Sequence, residues 1–402
     1  MLSIRKLLAL GLLSTIGTNA LAQEWRTAWD KTLYGYTSNT ALRGDSLLNP
    51  TNQIAHLSQR SNHLEIRMNV KAENDTVRFT ARPILAMRES HNAFGKQQHN
   101  EAYLSQWQLR VRAAEDWNVA AGREVMNWGT AQFRSPSSPF YFENGRGDPM
   151  RELVGMDSVK LTWTPDIQNS VTISHIVGSG YRAAQPDRWR DSWLFKFNQR
   201  RDDWTYGMVA VKTPILKTFY GTHAQITLSD SLMLHGEISF SASPYALQSP
   251  VDMTQPFSIQ TPAPQRSTML VGTTYTFENG KSLTAEYLHD NHGYTAAEQQ
   301  AYFQRAVQSP NIALSLAPNL LGRDYLHLVW QSNLMDTSAY WRLMYTHGFT
   351  DHGSEISGYG ETTITTLASA YFLVTLPQGK TNQEFSSLLQ RSLTAGLKFA
   401  LP

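Results

Sequence analysis

The chain has 402 residues, 35 Lys and Arg against 33 Asp and Glu, no cysteine, and an apolar fraction of 41%. Near-neutral charge argues against a nucleic-acid partner, and the lack of cysteine excludes disulfide staples and a lipid anchor on an N-terminal cysteine. No stretch approaches the ~20 apolar residues that a membrane-spanning helix needs.

At the N-terminus, Arg5 and Lys6 precede a short apolar run from Leu7 to Ile16, and Ala20-Leu21-Ala22 supplies small residues before Gln23. Residues 1–22 therefore read as a secretory signal, because the run is too short to cross a ~30 Å hydrocarbon core. The segment holds bases and no acid, so residues 23–402, read as a single barrel domain, are formally neutral.

From there the chain becomes a series of alternating segments. Leu64, Ile66, Met68 and Val70 alternate with Glu65, Arg67, Asn69 and Lys71. Val159, Leu161 and Trp163 alternate with Lys160 and Thr162; Leu232, Leu234, Ile238 and Phe240 with His235, Glu237 and Ser239. Met269, Val271, Tyr275 and Phe277 follow, and Leu393, Ala395, Leu397, Phe399 and Leu401 close the chain. A period of two is a strand with unlike faces. Short turns rich in Asn, Asp and Gly fall at 73–75, 114–116, 165–169, 199–203, 229–230, 278–281 and 335–336. Long connections fall between them at 38–62, 89–101, 129–157, 179–191, 242–266 and 290–323, with a briefer one near Pro214.

Short and long connections in alternation imply an up-and-down meander with two unlike ends, and a sheet that size removes its edges by closing. In lipid it must close, because unpaired backbone groups are costly there. The expected fold is all-β: a transmembrane antiparallel up-and-down β-barrel of about 18 strands, from near Trp25 to Leu401, with one or more loops folded inward. Sixteen is the alternative count, since Thr362 to Ala370 carries no turn residue. A sandwich requires tighter strand spacing, and no fixed period supports a solenoid. Within the 290–323 connection, Thr295 to Val307 has helix formers and reads either as a short helix on the rim or in the lumen, or as an external loop.

Signals of catalysis are weak. Asp290-Asn291-His292-Gly293 and Asp351-His352 place acids beside histidines, but with 12 histidines in the chain such neighbours are expected. No nucleophile elbow, zinc-protease or phosphate-loop motif is present, so no catalytic residue, metal or cofactor is assigned and the chain is not read as an enzyme. The strand phases place Arg67, Lys71, Arg78, Arg82, Arg110, Arg112, Lys160, Lys196, Arg342 and Lys398 on the lumen side, against Glu65, Glu237 and Glu286. Such a basic lumen would favour anions.

The densest cluster of Pro, Gly, aromatic and charged residues lies in and before the 129–157 connection. Gly122-Arg123 and Trp128-Gly129 lead into Ser138-Pro139-Phe140, then Asp148-Pro149 and Arg151. Folded into the barrel, this segment would narrow it, with Arg134, Glu143, Arg146, Asp148, Arg151 and Glu152 lining the constriction and Arg82, Arg110 and Arg112 facing it from the wall. Arg123 shares the phase of lipid-facing Val119, which calls for a bulge nearby.

These motifs, with Glu286-Tyr287, Gly293-Tyr294, Gly322-Arg323-Asp324-Tyr325 and Arg391-Ser392-Leu393, resemble porin-like outer-membrane barrels of Gram-negative bacteria. The chain departs from that group in having Ser138 where Asn is common and in ending Ala400-Leu401-Pro402 rather than on an aromatic. The resemblance implies an outer-membrane channel or exporter, in contact with outer-membrane lipid and lipopolysaccharide, assembled by the barrel-assembly machinery, compatible with a homo-oligomer, and passing a small-molecule solute. The reading is passive passage of small, anionic or polar solutes. Its alternatives are an outer-membrane component of lipid or polysaccharide export and, third, an outer-membrane hydrolase.

Overall fold

The computed structural model describes residues 24–148, 150–181, 187–243, 251–252, 257–333, 335 and 338–401. The expected signal, residues 1–22, and Pro149 lie outside the described residues. Eighteen antiparallel strands form one sheet, each pairing with its sequence neighbours. The first, β1 (Arg26–Leu42), also pairs with the last, β18 (Leu389–Leu401), from Lys31 opposite Leu401 to Thr40 opposite Ser392. That pairing leaves no open edge and makes the sheet a barrel. The remaining strands are β2 (Arg60–Glu73), β3 (Val77–Asn92), β4 (Gly95–Ala114), β5 (Trp117–Glu124), β6 (Met156–Trp163), β7 (Asn169–Gly178), β8 (Ser192–Arg200), β9 (Trp204–Lys212) and β10 (Phe219–Thr227). They continue as β11 (Leu232–Ala242), β12 (Gln265–Thr276), β13 (Ser282–Asp290), β14 (Asp324–Gln331), β15 (Ala339–Gly348), β16 (Ser354–Thr365) and β17 (Ala368–Gln378).

The outer surface follows from the dyad pattern. Leu64, Leu109, Val159, Met269, Val271, Leu343, Leu393 and Leu397 all point out and stay exposed. Aromatic residues stand at the turn end: Trp117 stacks on Trp163 at 5.9 Å and Trp330 meets Trp341 edge-on at 5.0 Å. An apolar belt with aromatic borders is the surface a membrane-spanning barrel presents. The ambiguous joint resolves as a tight turn at Thr366-Leu367 between β16 and β17, so eighteen is the count.

Two connections differ from the sequence reading. Residues 89–101 are not a loop: β3 runs to Asn92, β4 begins at Gly95, and the turn is closed by Phe94 N donating to Asn92 Oδ1 at 2.9 Å. The hairpin outruns the neighbouring β5, so both its faces meet water there and the alternation that marks a strand disappears. The 38–62 connection is likewise shortened, to 43–59, by the length of β1 and β2.

The segment 295–307 forms a helix, α1 (Ala296–Ala306), started by a capping box in which Thr295 and Glu298 bond reciprocally. A short second helix, α2 (Pro310–Ser315), follows. Tyr302, Phe303, Ala306, Ala313 and Leu321 pack with Leu48, and Phe257 and Leu388 lie against them, so four connections share one apolar cluster at the loop end.

Candidate functional site: a loop strapped across the lumen

The connection between β5 and β6, residues 125–155, enters the barrel as the Pro/Gly/aromatic cluster implied. Its first half packs on inward-facing apolar residues of the wall. Ile176, Leu194, Val209, Val211 and Phe219 form a buried cluster with Met126 and Met156, flanked by Trp128, Phe140 and Tyr141. Phe133 and Ala131 join Leu270, Leu288 and Tyr325 in a second one.

Two wall carboxylates fix this half. Glu237 on β11 accepts from the amides of Thr130 (2.5 Å), Ala131 (2.8 Å) and Ser137 (3.0 Å) and from the hydroxyls of Ser135 and Ser137 (both 2.8 Å). Glu286 on β13 accepts from the amides of Gln132 (2.6 Å) and Phe133 (2.8 Å) and contacts His235 Nε2 at 2.7 Å. Both carboxylates are buried, and a buried charge is tolerable only when donors surround it. Gly129 makes the turn possible: its φ is +102°, and a Cβ there would collide with Ser135 Oγ and the Glu237 carboxylate.

The second half is held by the opposite chemistry. Arg67 on β2 donates to Met150 O at 2.8 Å and to Glu65 at 2.7 Å and lies 3.5 Å from Glu152. Arg82 on β3 reaches Glu152 at 3.1 Å, and Ser105 donates to the same carboxylate at 3.1 Å. The loop is thus a strap with both ends tied.

The residues expected at the constriction do not form one ring. Arg134, Glu143 and Arg151 do come together: Arg151 meets Glu143 at 2.6 Å, and Arg134 lies 3.8 Å from it and over the Phe133 ring. Burial pushes the Glu143 carboxyl up, but the two guanidinium groups outweigh it and hold the group below its ordinary range. Asp148 is pushed up, because burial outweighs the Met150 amide and the Arg151 charge. Arg146 instead turns into the loop, donating to the carbonyls of Thr130 (2.8 Å), Ala131 (2.9 Å) and Gly129 (3.2 Å). Arg82 is spent on Glu152. Arg110 and Arg112 lie apart, at the turn end of β4, where Arg110 bonds Asn118 at 3.1 Å and stands opposite Arg78.

Several lumen bases are paired: Lys71 and Arg78 with Glu73, Lys160 with Glu124, Lys398 with Glu361. The sequence reading counted Glu237 and Glu286 as minority lumen charges and missed their role. The available signal was their position, isolated acids among Gly, Ser and His on inward faces two strands apart. Arg123 does sit at an irregularity. It forms a two-pronged pair with Asp157 at 2.8 and 2.9 Å and donates to Leu104 O at 3.0 Å, beside a register shift between Arg82 and Pro83 of the neighbouring hairpin.

Outside the strap, cavities of about 610 and 920 Å³ line the β1–β3 wall and share Tyr36, His63, Arg88, Met150 and Arg151. The fold is similar to that of the OccK proteins. OccK11 (OpdR) of Pseudomonas aeruginosa superposes with a TM-score of 0.58 at 10% identity, covering 94% of this chain and 96% of that one. OccK8 (OprE) gives 0.58 at 11%, and OccK5 (OpdH) 0.57 at 9%, each covering 94% of this chain and 98% of the other. At such identity the likeness is one of architecture. No protein-family model matches the chain, and no curated protein matches it.

Proposed function

We propose that the chain is an outer-membrane channel through which small polar solutes pass passively, with a turn-end mouth that favours anions. The observation that carries this reading is the strap: a loop tied to both walls inside a closed barrel fills part of the lumen and leaves cavities of about 610 and 920 Å³ beside it. A soluble barrel would not need an apolar outer belt. Arg110 and Arg112, on one face of β4, supply the positive potential at the mouth, while Arg78, opposite Arg110, is paired with Glu73. Arg134 and Arg151 at the strap, and Arg88 on the wall, are the bases a solute would meet.

Purified protein in planar bilayers should give stepwise conductance, with chloride favoured in a salt gradient. Replacing Arg110 and Arg112 with Glu should lower or reverse that preference. Unchanged selectivity would remove the mouth from the explanation, and absence of conductance would remove the channel.

A second reading, an outer-membrane hydrolase, is favoured by one contact: Ser241 Oγ lies 3.0 Å from His292 Nε2 near the loop end of the lumen. A base within reach of a hydroxyl is the minimum for a serine nucleophile. Labelling by a fluorophosphonate that is lost in Ser241→Ala would support this reading; an unlabelled protein would end it.

A further inference from the structure

The wall beside the second half of the strap differs chemically from the mouth. In the larger cavity Arg67, Arg88 and Arg151 stand against Glu65, Glu101 and Glu152, so the lining is charge-balanced. A balanced lining adds no net field for a simple ion. It does offer donors and acceptors alternately at close range, because Arg67, Glu65, Glu152 and Arg82 are linked in one network.

Flat rings stand next to this network. Tyr36 and His63 stack at 4.4 Å with their planes 7° apart, and both line both cavities. Tyr371 packs against Tyr36 at 6.4 Å, and its buried hydroxyl has no hydrogen-bond partner among the described residues. Hydroxyl pairs continue the same face of the wall: Ser38 with Thr394 at 2.7 Å and Thr40 with Ser392 at 3.2 Å. Amide side chains (Gln97, Gln98) complete the upper part.

We propose that this passage is a transit site for neutral, polyhydroxylated ring solutes of monosaccharide to disaccharide size. The proposal rests on the channel reading and narrows it to a solute class. Such a solute has two kinds of surface. Its hydroxyls lie around the ring edge and exchange water for a mixed set of donors and acceptors. Its C–H faces are weakly apolar and carry a positive edge that suits an aromatic face. The wall presents both surfaces side by side: the Arg–Glu network and hydroxyl pairs for the edge, the Tyr36–His63 stack for the face. A simple anion would use only the bases, and here Arg67 is held by Glu65 and Arg151 by Glu143. The volume also fits, since cavities of 610 and 920 Å³ exceed what a single inorganic ion fills.

The test uses the whole protein in planar bilayers in concentrated KCl, with D-glucose, maltose and triethylene glycol added in turn. Glucose and maltose should reduce or interrupt the single-channel current beyond the viscosity effect, and triethylene glycol, of similar size but without a rigid hydroxylated ring, should not. Tyr36→Leu keeps bulk and loses the ring, so the sugar effect should weaken about tenfold. Tyr36→Phe keeps the ring and should stay within about twofold of the native protein. Steady conductance with sugars and glycol acting alike, or with Tyr36→Leu unaltered, overturns the solute assignment and leaves the channel standing. No conductance under any condition overturns both.

Discussion

The two ends of the strap are tied by inverse means. At one end the wall supplies carboxylates and the loop supplies amides, in a setting packed with Val209, Val211, Leu270 and Leu288. At the other the wall supplies guanidinium groups and the loop supplies Glu152 and a carbonyl, beside open, hydroxyl-rich cavities. The difference follows from what surrounds each. Where the lumen is filled, backbone amides have no water to turn to, so two acids serve many donors. Where the lumen is wet, paired charges give position without sealing the passage. One loop thus closes half of the lumen and shapes the other half.

The sharpest way to break this comparison is at the filled end. Glu237→Gln with Glu286→Gln turns acceptors into amide groups that face the same N–H donors. We expect a loss of roughly 3–6 kcal/mol from charge-assisted bonds and a noisy, flickering current. A quiet trace with an unshifted heat-unfolding midpoint would show that the acids do not hold the strap. At the wet end, Arg67→Ala leaves Glu65 without its guanidinium partner and Glu152 with Arg82 alone, which should cost about 3–5 kcal/mol and shift selectivity toward cations. Reversal potentials equal to those of the native protein would contradict the assigned role.

A smaller effect is expected from Gly129→Ala. The left-handed backbone and the nearby Glu237 carboxylate leave no room for a methyl group, so a loss of about 1–3 kcal/mol and raised current noise should follow. A variant as stable as the native protein would mean that the turn can rearrange freely.

The acid-to-amide tie has a titratable counterpart in the connection between β17 and β18, residues 379–388. Glu384 accepts from the amides of Leu321 (3.0 Å) and Gly322 (3.3 Å) and from Tyr325, while Asp351 accepts from its own amide at 2.6 Å. Burial, with Asp351 adding to it, pushes the Glu384 carboxyl up to about 7 despite these donors. The folded connection therefore binds a proton that the unfolded segment releases near its ordinary carboxylate value. Its contribution is intact below that lower value and declines as pH rises to about 7 and beyond. Hydrogen exchange at residues 379–388 should be faster at pH 8 than at pH 5, after correction for intrinsic exchange, and Glu384→Gln should flatten the difference. Equal protection at both pH values would refute it.

How much of this was legible depended on what each face touches. β2 and β18 have lipid on one side and water on the other, so their alternation reads directly. In β9, Val209 and Val211 turn inward onto the strap, and the run Met208-Val209-Ala210-Val211 hides the period. The outer part of β3 and β4 fails the opposite way, polar on both faces. The inward course of 125–155 was visible in its prolines, glycines and rings. The fates of its charged residues were not, because Arg146 and Arg151 look alike in sequence, yet one reaches loop carbonyls and the other Glu143. Partner choice of that kind depends on backbone directions that only the closed barrel sets.

The inward-facing Ile176, Leu194, Val209 and Val211 carry a consequence for engineering. With the 125–155 segment excised they would be wetted, and a bare greasy patch inside the cylinder invites misassembly or self-association. A wider bore is therefore reached not by deletion of the insert alone, but by deletion together with hydrophilic replacements along the strip of wall it now shields.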